Sequence, residues 1–312
     1  MKAIILEEFG SADQLAIQEL PKPVIKEHEV LIQVKAISIN PVDIKTREGK
    51  GVSGLIKEEK PIILGWDISG IVVETKSDMF KAGDEVFGMV NFPGHGKAYA
   101  EYVAAPADQL ALKPSQISHA DAAAATLAAL TALQVLVDHA KIKAGDRVLI
   151  HAAAGGVGHY AVQIAKHLGA YVIGTSSAAK KNFIMSLGAD EHIDYAAGPL
   201  EEFTKDIDFV LDAIGGENID KSLKVIRKGG TIISIPSGLR EEVTEKAKAM
   251  GINGYFTMVQ SNGQNMQKIA GLLDDRSLLS HVSQTFDFDQ MADAHRALET
   301  GRTQGKIVVL IA

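Results

Sequence analysis

The sequence predicts an α/β protein in which a doubly wound parallel-sheet domain is inserted into a mostly-β domain. Three observations lead there. The first 115 or so residues are broken by Gly and Pro into short β-branched runs; from Asp146 to about Val259 apolar strands alternate with helical patterns. The tail of about 50 residues is short for a domain of its own, so it is expected to return to the first segment. The expected division is 1–118 with 260–312 for the split domain and 119–259 for the insert.

In the first segment, runs at 30–37, 62–64, 70–73, 85–90 and 99–104 are bounded by turn residues and read as strands. At Ser118 the texture changes. Residues 119–140 are rich in Ala and Leu with no Gly or Pro, which predicts one long helix before the turn Lys143-Ala-Gly-Asp146. Strands are then expected at 147–152, 171–174, 192–193, 208–214, 230–235 and 254–259. Between them lie helices at 157–168, closed by Gly169, at 178–187, closed by Gly188, and at 218–226. This alternation argues for a parallel sheet covered on both faces. The tail adds helices at 264–273 and 288–299 and a last strand at 306–311.

Composition narrows the chemistry. None of the 312 residues is Cys, so disulfides, zinc-thiolate sites, iron–sulfur clusters and a cysteine nucleophile are excluded. Lys and Arg number 32 against 39 Asp and Glu, a net charge of -7 with no basic block, so nucleic acid is not an expected partner. The most membrane-like stretch, 122–137, is shorter than a bilayer span and is interrupted by Thr126, Thr131 and Gln134. With no secretory signal pattern at the start, the expectation is a cytoplasmic protein that uses no membrane. No H-E-x-x-H, G-x-S-x-G or Walker-type loop is present, and the ten histidines read as scattered surface or core residues.

The informative stretch is Val148-Leu-Ile-His-Ala-Ala-Ala-Gly-Gly-Val-Gly158, a glycine turn directly after a strand and before a helix. Such a turn lets backbone N–H groups approach a pyrophosphate at a helix N-terminus, which predicts a dinucleotide site. An NAD site places a carboxylate about 20 residues on. Counting from Gly155 reaches Thr175, in Gly174-Thr-Ser-Ser-Ala-Ala-Lys-Lys181, where hydroxyls and two lysines stand instead. These suit a 2′-phosphate, so NADPH is the expected cofactor. The ordinary alternative is a helix cap at Ser176 or Ser177 with solvated lysines.

Several motifs together resemble the zinc-independent branch of the medium-chain dehydrogenase/reductase superfamily, the NADPH:quinone oxidoreductase and alkenal reductase group. They are Ile39-Asn-Pro-Val-Asp-Ile-Lys45, Pro61-Ile-Ile-Leu-Gly-Trp-Asp-Ile-Ser-Gly70, Ala98-Tyr-Ala-Glu-Tyr102, Leu130-Thr-Ala132, the glycine turn, Leu187-Gly-Ala-Asp190 with Ile193-Asp-Tyr195, and Gly305-Lys-Ile-Val-Val309. The resemblance implies a GroES-like substrate domain split around a Rossmann domain, an active site in the cleft between them, and a homodimer. Zinc members of the superfamily carry a Gly-His-Glu ligand segment and a catalytic Cys. Here the segment is Gly65-Trp66-Asp67 and Cys is absent, so no metal is expected.

By the same resemblance Asn40 and Thr131 face the nicotinamide, and Asp43 polarises a donor in the active site. Gly155, Gly156 and Val157 meet the pyrophosphate, Ser176 and Lys180 the 2′-phosphate, and Tyr195 the adenosine side. Ala154, Gly174 and Thr175 complete the cofactor set, Ile214, Ile235 and Ser237 line the nicotinamide pocket, and Lys306 reaches the phosphates. Each has a structural alternative: Asn40 before Pro41 shapes a turn, Thr131 is a satisfied core hydroxyl, and Tyr195 is packing. Asp43 likewise has a structural hydrogen-bond role open to it, and Lys306 a solvated strand start.

With neither metal nor nucleophile, the simplest chemistry is direct hydride transfer to a small electrophile, a quinone or an α,β-unsaturated carbonyl compound. Bacterial quinone reductases of this group often have tyrosines where this chain has Pro41 and Lys45, so a smaller enal or enone is equally compatible. A redox sensor that binds NADPH without turnover and an enoyl-thioester reductase are the competing readings.

Overall fold

The computed structural model describes residues 1–238 and 240–311, in two compact units: Met1–Leu130 with Val259–Ala312, and Thr131–Met258. Unit 1 opens with β1 (Lys2–Leu6), β2 (Leu15–Glu19) and the long β3 (Glu29–Ile39). Then come α1 (Pro41–Arg47), α2 (Ser53–Ile56), β4 (Ile62–Ile63), β5 (Asp67–Thr75), β6 (Glu85–Met89), β7 (Tyr102–Pro106), β8 (Leu110–Leu112) and α3 (His119–Ala124). Val30, Ile32 and Val34 of β3 alternate inward, and a register shift lets Ile37 and Ile39 join the same core.

The second unit takes up within α4 (Leu127–Leu133), which continues as a π-helical segment, Gln134–His139. It holds β9 (Arg147–Ile150), α5 (Gly158–His167), β10 (Tyr171–Ser176), α6 (Lys181–Ser186) and β11 (Glu191–Asp194). These are followed by β12 (Ile207–Asp212), α7 (Glu217–Leu223), β13 (Ile226–Ser234), α8 (Arg240–Ala249) and β14 (Asn253–Phe256). All six strands are parallel in the order β11-β10-β9-β12-β13-β14. That is the doubly wound order, whose switch point lies between β9 and β12. Val148, Leu149 and Ile150 are all fully buried, as strands covered on both faces require.

The chain then rejoins unit 1 with α9 (Gly263–Asp274), β15 (Val282–Asp287), α10 (Met291–Glu299) and β16 (Lys306–Leu310). The resulting sheet runs β15-β16-β3-β5-β6-β8, with β7 also on β3; β2-β1-β4 form a smaller sheet. Strand β16 thus sits between β15 and β3, so the two tail strands extend one side of the sheet begun by the first segment.

The single helix expected over 119–140 is broken. After α3, which packs on β3, β5 and β16, Thr126 Oγ donates back to Ala123 O at 2.7 Å and the chain restarts as α4. The Leu127 amide that opens α4 donates to Asp67 Oδ1 at 3.0 Å, so a carboxylate 60 residues away caps the new helix. The division between the two compact units falls inside α4, between Leu130 and Thr131.

Candidate functional site

In unit 2 the glycine turn lies between β9 and α5. Ala152 takes a left-handed conformation (φ 50°), and the Gly155 amide donates to Ala152 O at 2.8 Å. The Gly156 and Val157 amides have no protein acceptor among the described residues. Two backbone donors at the start of a helix, left to be met from outside, are what a pyrophosphate needs. A Cβ on Gly158 would stand 2.2 Å from Ala152 O and 2.7 Å from Ala153 Cα, so only Gly lets α5 pack this close to β9. Gly174 on β10 is constrained in the same way, by Ile184 and Ala153. Ala154 beside the turn is buried.

Buried hydroxyls close the neighbouring strand ends. Ser222 Oγ donates to Asn218 O at 2.7 Å, so it accepts from His151 Nε2 at 2.9 Å. His151 Nδ1 is then an acceptor, and Thr175 Oγ donates to it at 3.0 Å. Burial pushes the His151 imidazole down to about 4, which keeps it neutral. Thr175 is therefore committed to the interior, and Ser176 is the hydroxyl that ends β10. Lys180 follows, half-buried, its ammonium lowered by that burial. Tyr195 is 68% exposed beyond β11.

At the end of β12, Asp212 shapes the next loop. Its Oδ1 accepts from the Ile214 and Gly215 amides and from Asn218 Nδ2, while Oδ2 accepts from Ser234 Oγ at 2.7 Å. The loop turns through Gly215 and Gly216, both at positive φ, and leaves Ile214 half exposed. After β13, Ile235 is half-buried and Ser237 exposed.

Unit 1 gathers Asn40, Asp43 and Lys306 with a fourth residue, Asp67, in one buried cluster. Asn40 is the N-cap of α1, with Pro41 at the first helical position. Its amide N–H donates to Asp43 Oδ2 at 2.6 Å, and the Asp43 amide donates to Asn40 O at 3.0 Å. The Asn40 side chain reaches elsewhere: Nδ2 donates to Asp67 Oδ2 at 2.8 Å and Oδ1 accepts from Lys306 Nζ at 2.5 Å. Lys306 also donates to Ile39 O at 3.0 Å. Its ammonium is thus fully enclosed in unit 1 rather than at a solvated strand start, and burial lowers its pKa against the pull of Asp67 and Asp43.

Two carboxylates and one ammonium share this buried cluster. Burial, then the charge of Asp67, pushes Asp43 up to about 7. Asp67 is raised by burial too, and is drawn back by Lys306, Asn40 and the Leu127 amide. Asp43 Oδ1 has no hydrogen-bond partner at bonding distance, although the Tyr99 hydroxyl is near enough to favour the ionised form. Thr131 is buried in α4 and belongs to unit 2.

Two family models match the chain: an alcohol dehydrogenase GroES-like domain over residues 26–115, and a zinc-binding dehydrogenase over residues 187–309. A 2-methylene-furan-3-one reductase of Solanum lycopersicum is 35% identical, the alignment covering 99% of this chain and 79% of the relative. The chain belongs to the medium-chain dehydrogenase/reductase family. A chloroplastic NADPH-dependent alkenal/one oxidoreductase of Arabidopsis thaliana is likewise 35% identical, over 99% of this chain and 79% of that protein. Among solved structures, the quinone oxidoreductase from Coxiella burnetii aligns with TM-score 0.95 and 37% identity over 100% of this chain and 99% of its own. Escherichia coli quinone oxidoreductase complexed with NADPH aligns with TM-score 0.87 and 27% identity over the whole of both chains.

One matched model of this dehydrogenase/reductase family carries zinc in its description, and the residues here do not fit that ion. Where a ligand histidine would stand, Trp66 is fully buried, its indole N–H donating to Gly94 O at 2.7 Å and its ring edge-on to Phe92 at 5.2 Å. The adjacent Asp67 spends both oxygens on Asn40 and Leu127. Tetrahedral zinc is held by thiolate, imidazole and carboxylate, and neither an indole nor a committed carboxylate supplies such a bond.

Asp67, Tyr99, His151 and Asp212 carry no pattern in the sequence that marks them as a set. The one legible signal was local, Asn40-Pro41 followed by Asp43 at capping-box spacing.

Proposed function

We propose that this protein is an NADPH-dependent oxidoreductase that delivers a hydride to a quinone or an α,β-unsaturated carbonyl compound without a metal ion. The observation that carries the reading is the turn at Gly155–Gly156–Val157, with two amides that meet no acceptor among the described residues, followed at the end of β10 by Ser176 and Lys180 in place of a carboxylate. NADPH supplies the hydride when bound. The Gly156 and Val157 amides and the α5 terminus hold its pyrophosphate, and Ser176 and Lys180 meet its 2′-phosphate. Ala154, Gly174 and Thr175 form the surrounding wall, Tyr195 covers the adenosine side, and Ile214, Ile235 and Ser237 border the nicotinamide. The resemblance alone assigns Asn40 and Thr131 to the ring, with Asp43 acting through Asn40.

Hydride addition to such an acceptor creates an enolate or phenolate, which needs hydrogen-bond donors and a proton but no Lewis acid. The named activities of the tomato, Arabidopsis and E. coli relatives support this substrate class. An enoyl-thioester substrate draws support from CurK enoyl reductase, which aligns with TM-score 0.89 and 27% identity. A homodimer in the cytoplasm belongs to the same proposal and rests on the resemblance alone; relatives include chloroplastic and mitochondrial proteins.

The test is NADPH oxidation against a panel of quinones, 2-alkenals and acyl-CoA enoyl thioesters. Turnover on the first two classes is expected; saturable NADPH binding with no turnover on any acceptor overturns the enzyme reading in favour of a sensor. Exhaustive dialysis against a chelator is expected to leave the rate unchanged. A large loss restored by Zn²⁺ overturns the metal-free part.

A further inference from the structure

The residue ending the second strand of a doubly wound domain meets the ribose 2′ position, and here it is Ser176. Its Oγ donates its single hydrogen to Ser177 O at 2.8 Å. The 2.9 Å contact between that Oγ and His192 Nε2 therefore runs the other way, with the imidazole N–H donating. His192 lies on β11 in parallel register with Gly174 and is only half-buried, so solvent protons reach it. The groups acting on it are few: burial and Lys181 of α6 oppose its charge, and Asp194 of its own strand favours it. Before the cofactor arrives His192 is neutral near pH 7, because these influences hold it below its ordinary value.

We propose that His192 takes up a proton from solvent when the 2′-phosphate binds beside Ser176, and that this protonation is a source of selectivity for NADPH over NADH. The inference rests on the β10 end being the 2′-phosphate site. A phosphate is nearly dianionic above its second pKa of about 6, and an opposite charge within about 4–6 Å favours the charged form of a histidine. NADH brings no such charge and leaves His192 neutral. The step is a proton transfer: the N–H formed at Nδ1 replaces the bond to hydrogen broken in a buffer acid, and nothing is oxidised or reduced.

Calorimetric titration of the full chain with NADPH and with NADH, at about pH 7.5 in two buffers of different ionisation enthalpy, counts the protons directly. Uptake approaching one proton is expected with NADPH and none with NADH. The Kd for NADPH should also weaken by up to about tenfold per pH unit above neutrality. His192→Gln is expected to abolish the uptake and flatten the pH profile while leaving NADH binding unchanged. His167→Gln, on the exposed end of α5, should keep both signals. NADPH preferred over NADH with no proton difference, or uptake that survives His192→Gln, overturns the proposal. NADPH bound no more tightly than NADH would instead bring down the underlying cofactor reading, and the inference with it.

Discussion

Arg47 Nη1 lies 3.2 Å from His295 Nδ1, joining α1 to α10 across 248 residues of chain. An arginine only donates, so Nδ1 accepts and the His295 hydrogen sits on Nε2, 2.9 Å from the Tyr99 hydroxyl. Tyr99 accepts that bond, and its own hydrogen is left to turn toward Asp43. Arg47 also donates to Gly10 O at 3.0 Å and to Glu299 at 2.5 Å. One buried guanidinium thus orients a line of groups ending beside the Asn40 cluster.

Two buried histidines, His295 in this network and His151 in unit 2, predict an acid limb. Burial, with Arg47 adding to it, pushes His295 down to about 3, and burial, against the pull of Asp212, takes His151 to about 4. In both cases the unfolded chain binds more protons, so stability falls as pH drops from about 6.5 toward those values, by about 1.4 kcal/mol per unit per histidine. Asp43, raised to about 7, contributes the opposite slope between about 4 and 7. Urea unfolding across this range should show the balance of the three. His151→Asn or His295→Gln should each shallow the acid limb by one proton, and unchanged slopes in both variants would count against the assignment.

Lys306→Met removes the only ammonium from the Asn40–Asp43–Asp67 cluster. Above the Asp43 titration two buried carboxylates are left facing each other, and a loss of about 3–5 kcal/mol is expected. At about pH 5.5 Asp43 carries a proton and the loss should be visibly smaller. Equal losses at the two pH values would show that charge is not what Lys306 contributes.

Gly158→Ala would push a methyl group into the Ala152 and Ala153 backbone, which cannot give way as a flexible side chain can. A loss of about 3 kcal/mol in stability, with weakened NADPH binding, is expected from denaturation and fluorescence titration. Gly271→Ala in α9 meets nothing within 4 Å and should gain about 0.5–1 kcal/mol.

Lys180→Ala should weaken NADPH more than NADH in direct binding measurements. Equal effects on both would remove Lys180 from the 2′-phosphate and leave Ser176 and His192 to account for any preference.

Unit 2 was readable because its signals are local: apolar runs fix the strands, Gly169 and Gly188 end helices, and the Gly155 turn follows a strand directly. The break in the 119–140 helix was not, because its cause is the Asp67 carboxylate at the Leu127 amide, supplied from another strand. The same holds for the candidate site. Asn40 and Asp43 are three residues apart and their pairing follows from spacing. Lys306 and His295, by contrast, meet their partners only through the closure of unit 1. For Lys306 the sequence offers a phosphate contact or a solvated strand start and not this cluster, because no pattern in one chain reports a carboxylate and an amide waiting 239 and 266 positions away.

The position of β16 between β15 and β3 bears on biosynthesis. During synthesis unit 2 is complete, and can close on itself, while the Ala36–Ile39 edge of β3 still waits for Ile307–Leu310. A nascent chain therefore displays an open row of strand amides and carbonyls for the whole time that the inserted domain is being made. Protecting that edge, by a chaperone or by transient local cover, becomes a requirement of making this protein, separate from anything its finished form needs.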